Sequence, residues 1–421
     1  MNPRIFKVIN AFLTTLIFLM TATVKVSFAN NIITAENLAT LQSVNEVQVS
    51  PSGQFTAFTR SVPRKIYHEQ DGKNWLELHV VNDKGEERPF ITGKVNIKNI
   101  QWSADSRLLY FLSKMDDDKH NTLYQIAING GQAQKVLALK NTNINHYTLS
   151  QDNKTIALLA KKAKDPSIKT LAELGFKAEV FEEQLSNQYL YLTKLQTYDQ
   201  AISPEAWEIK EYVSDVHFSP NGTQLLIKTQ ASPLIDDKYM KSKWHIADIA
   251  SQSIKNTLAS DGKLGTASFS HDGQYIAFLG AEDKHDPANG RLFIAEVSNP
   301  KPINWLPGFQ GHVADIEWSN QGNELFFIAH VGTQSIVAKL SPKNNQYTRL
   351  IDETQFIASH LSLSSSDKSL IIKASRPNYP SEVHMLRGNR QIRLTDSNPW
   401  LAKINFSQQE SLTIKSRDGI N

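Results

Sequence analysis

The sequence predicts an all-β chain folded as a seven-bladed β-propeller, and three observations carry that prediction. A hairpin pattern recurs seven times: an apolar triplet, a serine, a polar turn and a second apolar run, as in VQVSPSGQFTAF (47–58), VHFSPNGTQLLI (216–227) and ASFSHDGQYIAF (267–278). The serines are Ser50, Ser103, Ser150, Ser219, Ser270, Ser319 and Ser364, spaced by 53, 47, 69, 51, 49 and 45 residues. A second strand pair follows the hairpins, as in WLELHVVNDKGEERPFI (75–91) and LFIAEVSNPKPINWL (292–306). Four short strands in a period of about 50 residues is the pattern of a propeller blade. Closing the ring also removes the exposed edges that an open array would leave.

Composition narrows the function classes. Of 421 residues, 40% are hydrophobic and 21% charged, which is globular usage. Lys and Arg number 45 against 42 Asp and Glu, a net charge of +3. The first 29 residues hold Arg4, Lys7 and Lys25 and no acid, so the rest is balanced. A balanced chain without a basic block argues against nucleic-acid binding or a polybasic membrane surface. With no cysteine there is no disulfide framework, thiolate metal site or thiol nucleophile.

Taken in order, the chain opens with an export signal. Arg4 and Lys7 precede an apolar run from Ala11 to Val24, and Ser27-Phe28-Ala29 supplies small residues for cleavage after Ala29. That run of 14 residues falls short of the roughly 20 that a spanning helix needs. The expectation is removal of residues 1–29 and an exported chain with no stable membrane anchor, periplasmic if the source is Gram-negative. Next, ITAENLATL (33–41) predicts a short helix with Thr34 as N-cap and Glu36 in its first turn.

The blades follow over 30–410. Both runs of each hairpin are β-branched and aromatic. The linking turns hold Pro51 and Pro220, then Asp105, Asp152, Asn221 and Asp272, then Gly53, Gly222, Gly273 and Gly322 at the position needing positive φ. The serines read as turn caps rather than nucleophiles. The long gap in the third blade holds Lys162–Phe176, charged and helix-capable, and such insertions collect on one face of a repeat fold. Residues 411–421 read as a linker or strand leading out of the ring.

Chemical motifs are sparse. There is no G-x-S-x-G, phosphate loop, dinucleotide fingerprint or H-E-x-x-H. No cofactor or metal is expected. The twelve histidines, His312 among them, and tryptophans such as Trp102, Trp244 and Trp318 read as packing or turn residues. Asp116-Asp117-Asp118 lacks calcium-loop spacing and reads as a solvated turn. Glu182-Glu183, in the insertion just before a strand, is either a solvated surface pair or a carboxylate pair able to bind an ammonium group.

Four segments carry a resemblance to the prolyl oligopeptidase family of serine peptidases, in its dipeptidyl-peptidase and acylaminoacyl-peptidase-like branch. ITAENLATLQSVNEVQVSPSG is similar to the family's entry helix and first blade, and the serine hairpins to its propeller. DPSIKTLAELGFKAEVFEEQLSNQYLYL (165–192) resembles a blade insertion of that branch, including its Glu-Glu. RQIRLTDSNPWL (390–401) and ESLTIKSRDGIN (410–421) resemble the last blade and the linker into an α/β-hydrolase domain. The hairpins alone are shared with TolB-like and WD-repeat propellers. The resemblance implies a propeller that covers an active site, restricts entry to peptides and contributes substrate-binding groups. It implies that Glu182 and Glu183 bind a substrate's free α-amino group. It also places the Ser, Asp and His of acyl transfer in the hydrolase domain, beyond Asn421, so no catalytic residue is assigned in this chain. A stand-alone, exported TolB-like propeller that binds peptides or a partner protein is the alternative.

Overall fold

The computed structural model describes residues 32–163, 165–178, 182, 185–258, 260–321, 324–341, 346–351 and 354–419. Seven antiparallel sheets follow one another along the chain. Blade 1 comprises β1 (Ser43–Val49), β2 (Phe55–Val62), β3 (Trp75–Asn82) and β4 (Glu87–Ile91). Blade 2 comprises β5 (Lys98–Trp102), β6 (Leu108–Ser113), β7 (Thr122–Ala127) and β8 (Gln134–Leu137). Blade 3 has three strands, β9 (Ile144–Leu149), β10 (Thr155–Lys161) and β11 (Gln188–Lys194). Blade 4 is β12 (Tyr212–Phe218), β13 (Gln224–Gln230), β14 (Lys243–Asp248) and β15 (Ser253–Thr257). Blade 5 is β16 (Leu264–Phe269), β17 (Tyr275–Gly280), β18 (Arg291–Glu296) and β19 (Ile303–Asn304). Blade 6 is β20 (His312–Trp318), β21 (Leu325–Val331), β22 (Gln334–Leu340) and β23 (Tyr347–Arg349). Blade 7 is β24 (Ile357–Leu363), β25 (Leu370–Arg376), β26 (Tyr379–Arg387) and β27 (Arg390–Arg393).

The repeated serine is the local reason for this regularity. All seven are nearly or fully buried. In six blades the hydroxyl accepts from the backbone N–H five residues on, as in Tyr275 N to Ser270 Oγ at 2.9 Å and Leu108 N to Ser103 Oγ at 2.9 Å. In four of them it donates to the acid or amide two residues on, as from Ser270 to Asp272 at 2.6 Å. The residue three after the serine takes positive φ: Gly53, Gly222 and Gly273 at 75°, 69° and 70°, with Ser106, Asn153 and Asp367 in the other turns at 62°, 53° and 56°. Gly322 lies outside the described residues. Ser319 departs from the pattern and donates to Asp367 of the next blade at 2.6 Å.

Between the sheets lies the core. Seven apolar clusters occupy the seven blade interfaces, one each. The last joins Val44, Val47, Val49, Phe58 and Val81 of blade 1 to Ile371, Val383, Met385 and Leu394 of blade 7, and so closes the ring. No strand is exchanged across that seam, since every blade is one contiguous segment. Polar contacts reinforce it: Asn398 accepts from Gln42 N at 2.9 Å and donates to Gln42 O at 2.8 Å. Val49 N donates to Ser362 Oγ at 3.1 Å.

Three expectations need correction or completion. The four-strand expectation fails in blade 3. There the outer position is taken by the irregular stretch 195–210, tied by Trp207 N to Leu190 O and Ile202 N to Ala138 O, both 2.9 Å. Pro204 and the absence of alternation explain why this stretch forms no strand. The entry helix α1 is Ala35–Leu38, a single turn, capped by Thr34 and Asn37 reciprocally at 3.1 and 3.2 Å. Asp118 is not a solvated turn residue: its side chain is 15% exposed and engages Lys135 and the Tyr124 hydroxyl. Among the described residues no helix is long and apolar enough to cross a membrane.

Candidate functional site

Strand direction sorts the molecule into two faces. The first strand of every blade runs toward its serine turn, so all seven turns share one face. Entry helix α1, the second-to-third strand loops and the chain after β27 therefore lie on the other. The insertion is the β10–β11 loop, so it belongs to that second face. It holds α2 (Pro166–Glu173), which Asp165 caps by accepting from Ser167 N at 2.9 Å.

The insertion face is apolar where nothing covers it. Ile168, Leu171, Leu174 and Phe176 are 54%, 47%, 69% and 73% exposed, and Leu412 and Ile414 in the following segment 78% and 75%. Glu182 stands in this insertion, exposed, with φ of 61°. Glu183 lies outside the described residues. At the foot of the insertion is a groove of about 790 Å³ lined by Tyr189, Tyr191, Trp207, Lys161 and Lys162. The Lys162 ammonium sits 4.6 Å from the centre of the Tyr189 ring.

The first strands also line the axis. Counting back from each serine, the residue two before it is Gln48, Gln101, Thr148, His217, Ser268, Glu317 or Ser362. Four before it stand Glu46, Asn99, His146, Asp215, Thr266, Asp315 and His360. These positions alternate with the buried apolar residues of the interface clusters, as the period of a strand requires. They form two polar rings.

Several ring members have structural duties. Glu46 and Asp315 each accept from a backbone N–H of the next blade, Ile100 at 3.1 Å and Leu361 at 2.9 Å. Gln101 Nε2 donates to Tyr147 O at 3.1 Å. Lys228 and Lys373, equivalent in the repeat, donate to carbonyls of the following blade at Leu264 and Asn45, both 2.8 Å. Burial holds both ammonium groups below their ordinary pKa.

The rings also hold a titratable cluster. His217 Nε2 and His146 Nε2 approach Asp215 Oδ1 at 3.4 and 3.6 Å, and His360 Nδ1 lies 2.9 Å from Asp315 Oδ2. Burial opposes ionisation of Asp215, but the two imidazoles hold its carboxyl down to about 2. Burial likewise works against protonated His217 and His360, yet Asp215 and Asp315 raise both above the ordinary imidazole value. His146 is lowered, by burial first. Glu317 goes the other way: burial, then the neighbouring Asp315, push its carboxyl up to about 7. Among the described residues, half-buried Glu317 makes no hydrogen bond or ion pair, and no three or more His, Asp and Glu side chains are placed to hold a metal ion.

The sequence analysis passed over this cluster because it read each histidine singly. Aligning the seven serine hairpins and reading the two polar columns before the serine finds every member. His312 opens β20, and its Nδ1 accepts from Gly290 N at 2.8 Å. Trp102 and Trp318 staple neighbouring blades through Nε1 to Gln48 O at 2.9 Å and Ser268 O at 3.2 Å.

No protein-family model matches this sequence, and no curated protein matches it. Solved structures do match its fold. Pyrococcus horikoshii acylaminoacyl peptidase superposes with a TM-score of 0.64 at 12% identity, over 87% of this chain and 54% of that one. A puromycin-hydrolyzing peptidase of Mycobacterium tuberculosis gives 0.65 at 11% identity, over 88% and 56%. The β-propeller domain of the Trilobed protease from Pyrococcus furiosus, described as having an open velcro topology, gives 0.58 at 14% identity, over 88% and 99%. The chain thus has the fold of the propeller part of these peptidases and spans about half the length of the two longer ones.

Proposed function

We propose that this chain is the substrate-gating propeller of an exported serine exopeptidase of the dipeptidyl- or acylaminoacyl-peptidase-like kind. The observation that carries the reading is the polarity of the ring. The insertion, the entry helix, the exposed apolar side chains and the segment after β27 share one face. That is a face suited to receive an α/β-hydrolase domain, and uncovered apolar side chains in such number mark an interaction surface. The fold match to the propeller part of two peptidases supports it. In this reading residues 1–29 are a signal removed after Ala29, 30–410 form the gate and 411–421 lead into the hydrolase domain. Export places the enzyme in the periplasm of a Gram-negative source. Its substrates are peptides, and the acyl-transfer residues belong to the hydrolase domain.

Glu182 and Glu183 are assigned to the substrate's free α-ammonium group. Such a pairing is worth most when the closed interface strips water from it. In the enzyme carrying both domains, Glu182→Gln with Glu183→Gln should raise KM about tenfold or more for substrates with a free N-terminus, the equivalent of one lost charged hydrogen bond. N-blocked substrates should keep their KM. Equal effects on both substrate classes would refute the assignment.

A further inference from the structure

We infer that the serine-turn mouth of the axial channel is a binding site for one organic cation, an ammonium or guanidinium group, held by the Glu317 carboxylate with Ser268 and Thr148 beside it. A cavity of about 280 Å³ opens there, lined by Thr148, His217, Ser268, Glu317, Trp318 and Asn320. It draws on four consecutive blades, 3 to 6, so it exists only where these pack side by side. At a water's share of about 30 Å³, it has room for one side chain or one chain terminus with its hydration, and no more.

Its polar groups are unspent. The carboxylate two residues earlier, Asp315, bonds Leu361 N and His360. Glu317 bonds no described residue. The Ser268 hydroxyl is buried and has no partner, whereas His217 Nε2 is directed to Asp215 Oδ1 at 3.4 Å. At the equivalent place in other blades Ser362 closes the ring by accepting from Val49 N, and Gln101 ties blade 2 to blade 3 by donating to Tyr147 O. The stitching of blades therefore needs no charge here, and Glu317 is the one carboxylate among the seven residues of its ring. A half-buried acid without a hydrogen bond is costly to ionise and is satisfied by a cation from outside.

Charge fixes the pH dependence. Facing Glu317 are Asp315 on its own strand, His360 on β24, His217 on β12 and Asp367 in the last serine turn, and His271 of the blade 5 turn lines the same cavity. Lys228 and Lys373 are directed to backbone carbonyls. Below neutrality Glu317 is protonated and offers a cation no charge. As pH rises to 8, Glu317 gains its charge, and that change favours binding.

The site lies on the face opposite the insertion and stands on this chain alone, so its failure would leave the gating proposal intact. Calorimetric titration of the purified chain tests it. The probes are N-acetyl-arginine amide for a guanidinium, glycyl-glycinamide for an α-ammonium and N-acetyl-citrulline amide as the neutral isostere. At pH 8 at least one cationic probe should bind with a dissociation constant on the order of 1 mM or tighter, and the citrulline probe should not. Whichever cation binds identifies a side chain or a chain terminus as the source. Glu317→Gln should weaken binding about tenfold or more, and wild-type affinity should fall between pH 8 and pH 6. No binding of either cation, equal binding of the citrulline probe, or tighter binding at pH 6 would each overturn the inference.

Discussion

Glu317→Gln is expected to stabilise the chain at pH 8, by roughly 2 to 3 kcal/mol, and to change little at pH 4.5. The ordinary value for this carboxyl is 4.5, and in the fold it stands at about 7. A raised acid binds a proton more tightly folded than unfolded. The fold is therefore unpenalised below the unfolded value. It loses stability progressively as pH climbs toward the folded one, and above that the full penalty stays. Glutamine keeps the shape and removes the ionisation, so it removes the penalty. Urea denaturation of both proteins at the two pH values reads the effect. Equal or lower stability of the variant at pH 8 would show that Glu317 is already satisfied in the fold. A residue that costs stability is retained for what it binds, which links this measurement to the channel-mouth site.

The second large effect belongs to the seam. Because blades 1 and 7 share no strand, their union rests on one apolar cluster and a few hydrogen bonds. Asn398 is 2% exposed and grips both backbone groups of Gln42. Asn398→Ala leaves that donor and that acceptor without partners at the place where the ring closes. It should cost about 2 to 3 kcal/mol in urea denaturation. Asn74→Ala, which removes the exposed bond to Ser61 Oγ at 3.0 Å, should cost a few tenths at most. A seam variant no worse than this control would mean that the apolar cluster closes the ring unaided.

Local chemistry made the fold legible. A buried serine recurs in all seven copies, with a left-handed residue three on in six and a bonded acid or amide two on in four, and seven copies of that turn imply a ring. The capped entry helix was legible for the same reason. Blade 3 was less so, because an irregular stretch fills the outer place of a strand through backbone contacts that no side-chain pattern announces. Asp118 shows the same limit: Lys135 and Tyr124 reach it through the sheet. The channel cluster was hidden differently. His146 and Asp215, and Asp315 and His360, are far apart in sequence, and only the packing of neighbouring blades sets each pair side by side. Glu182 and Glu183 were visible as a motif, but their role depends on what covers the insertion face.

The size and reactivity of the native product test the central claim most directly. Intact mass and active-site labelling with a fluorophosphonate should be measured on the exported fraction of the source organism. The gating account predicts a species far heavier than 47.4 kDa that carries a reactive serine. A species slightly lighter than 47.4 kDa, with only the signal removed and no label, would contradict it and make the propeller itself the binding protein.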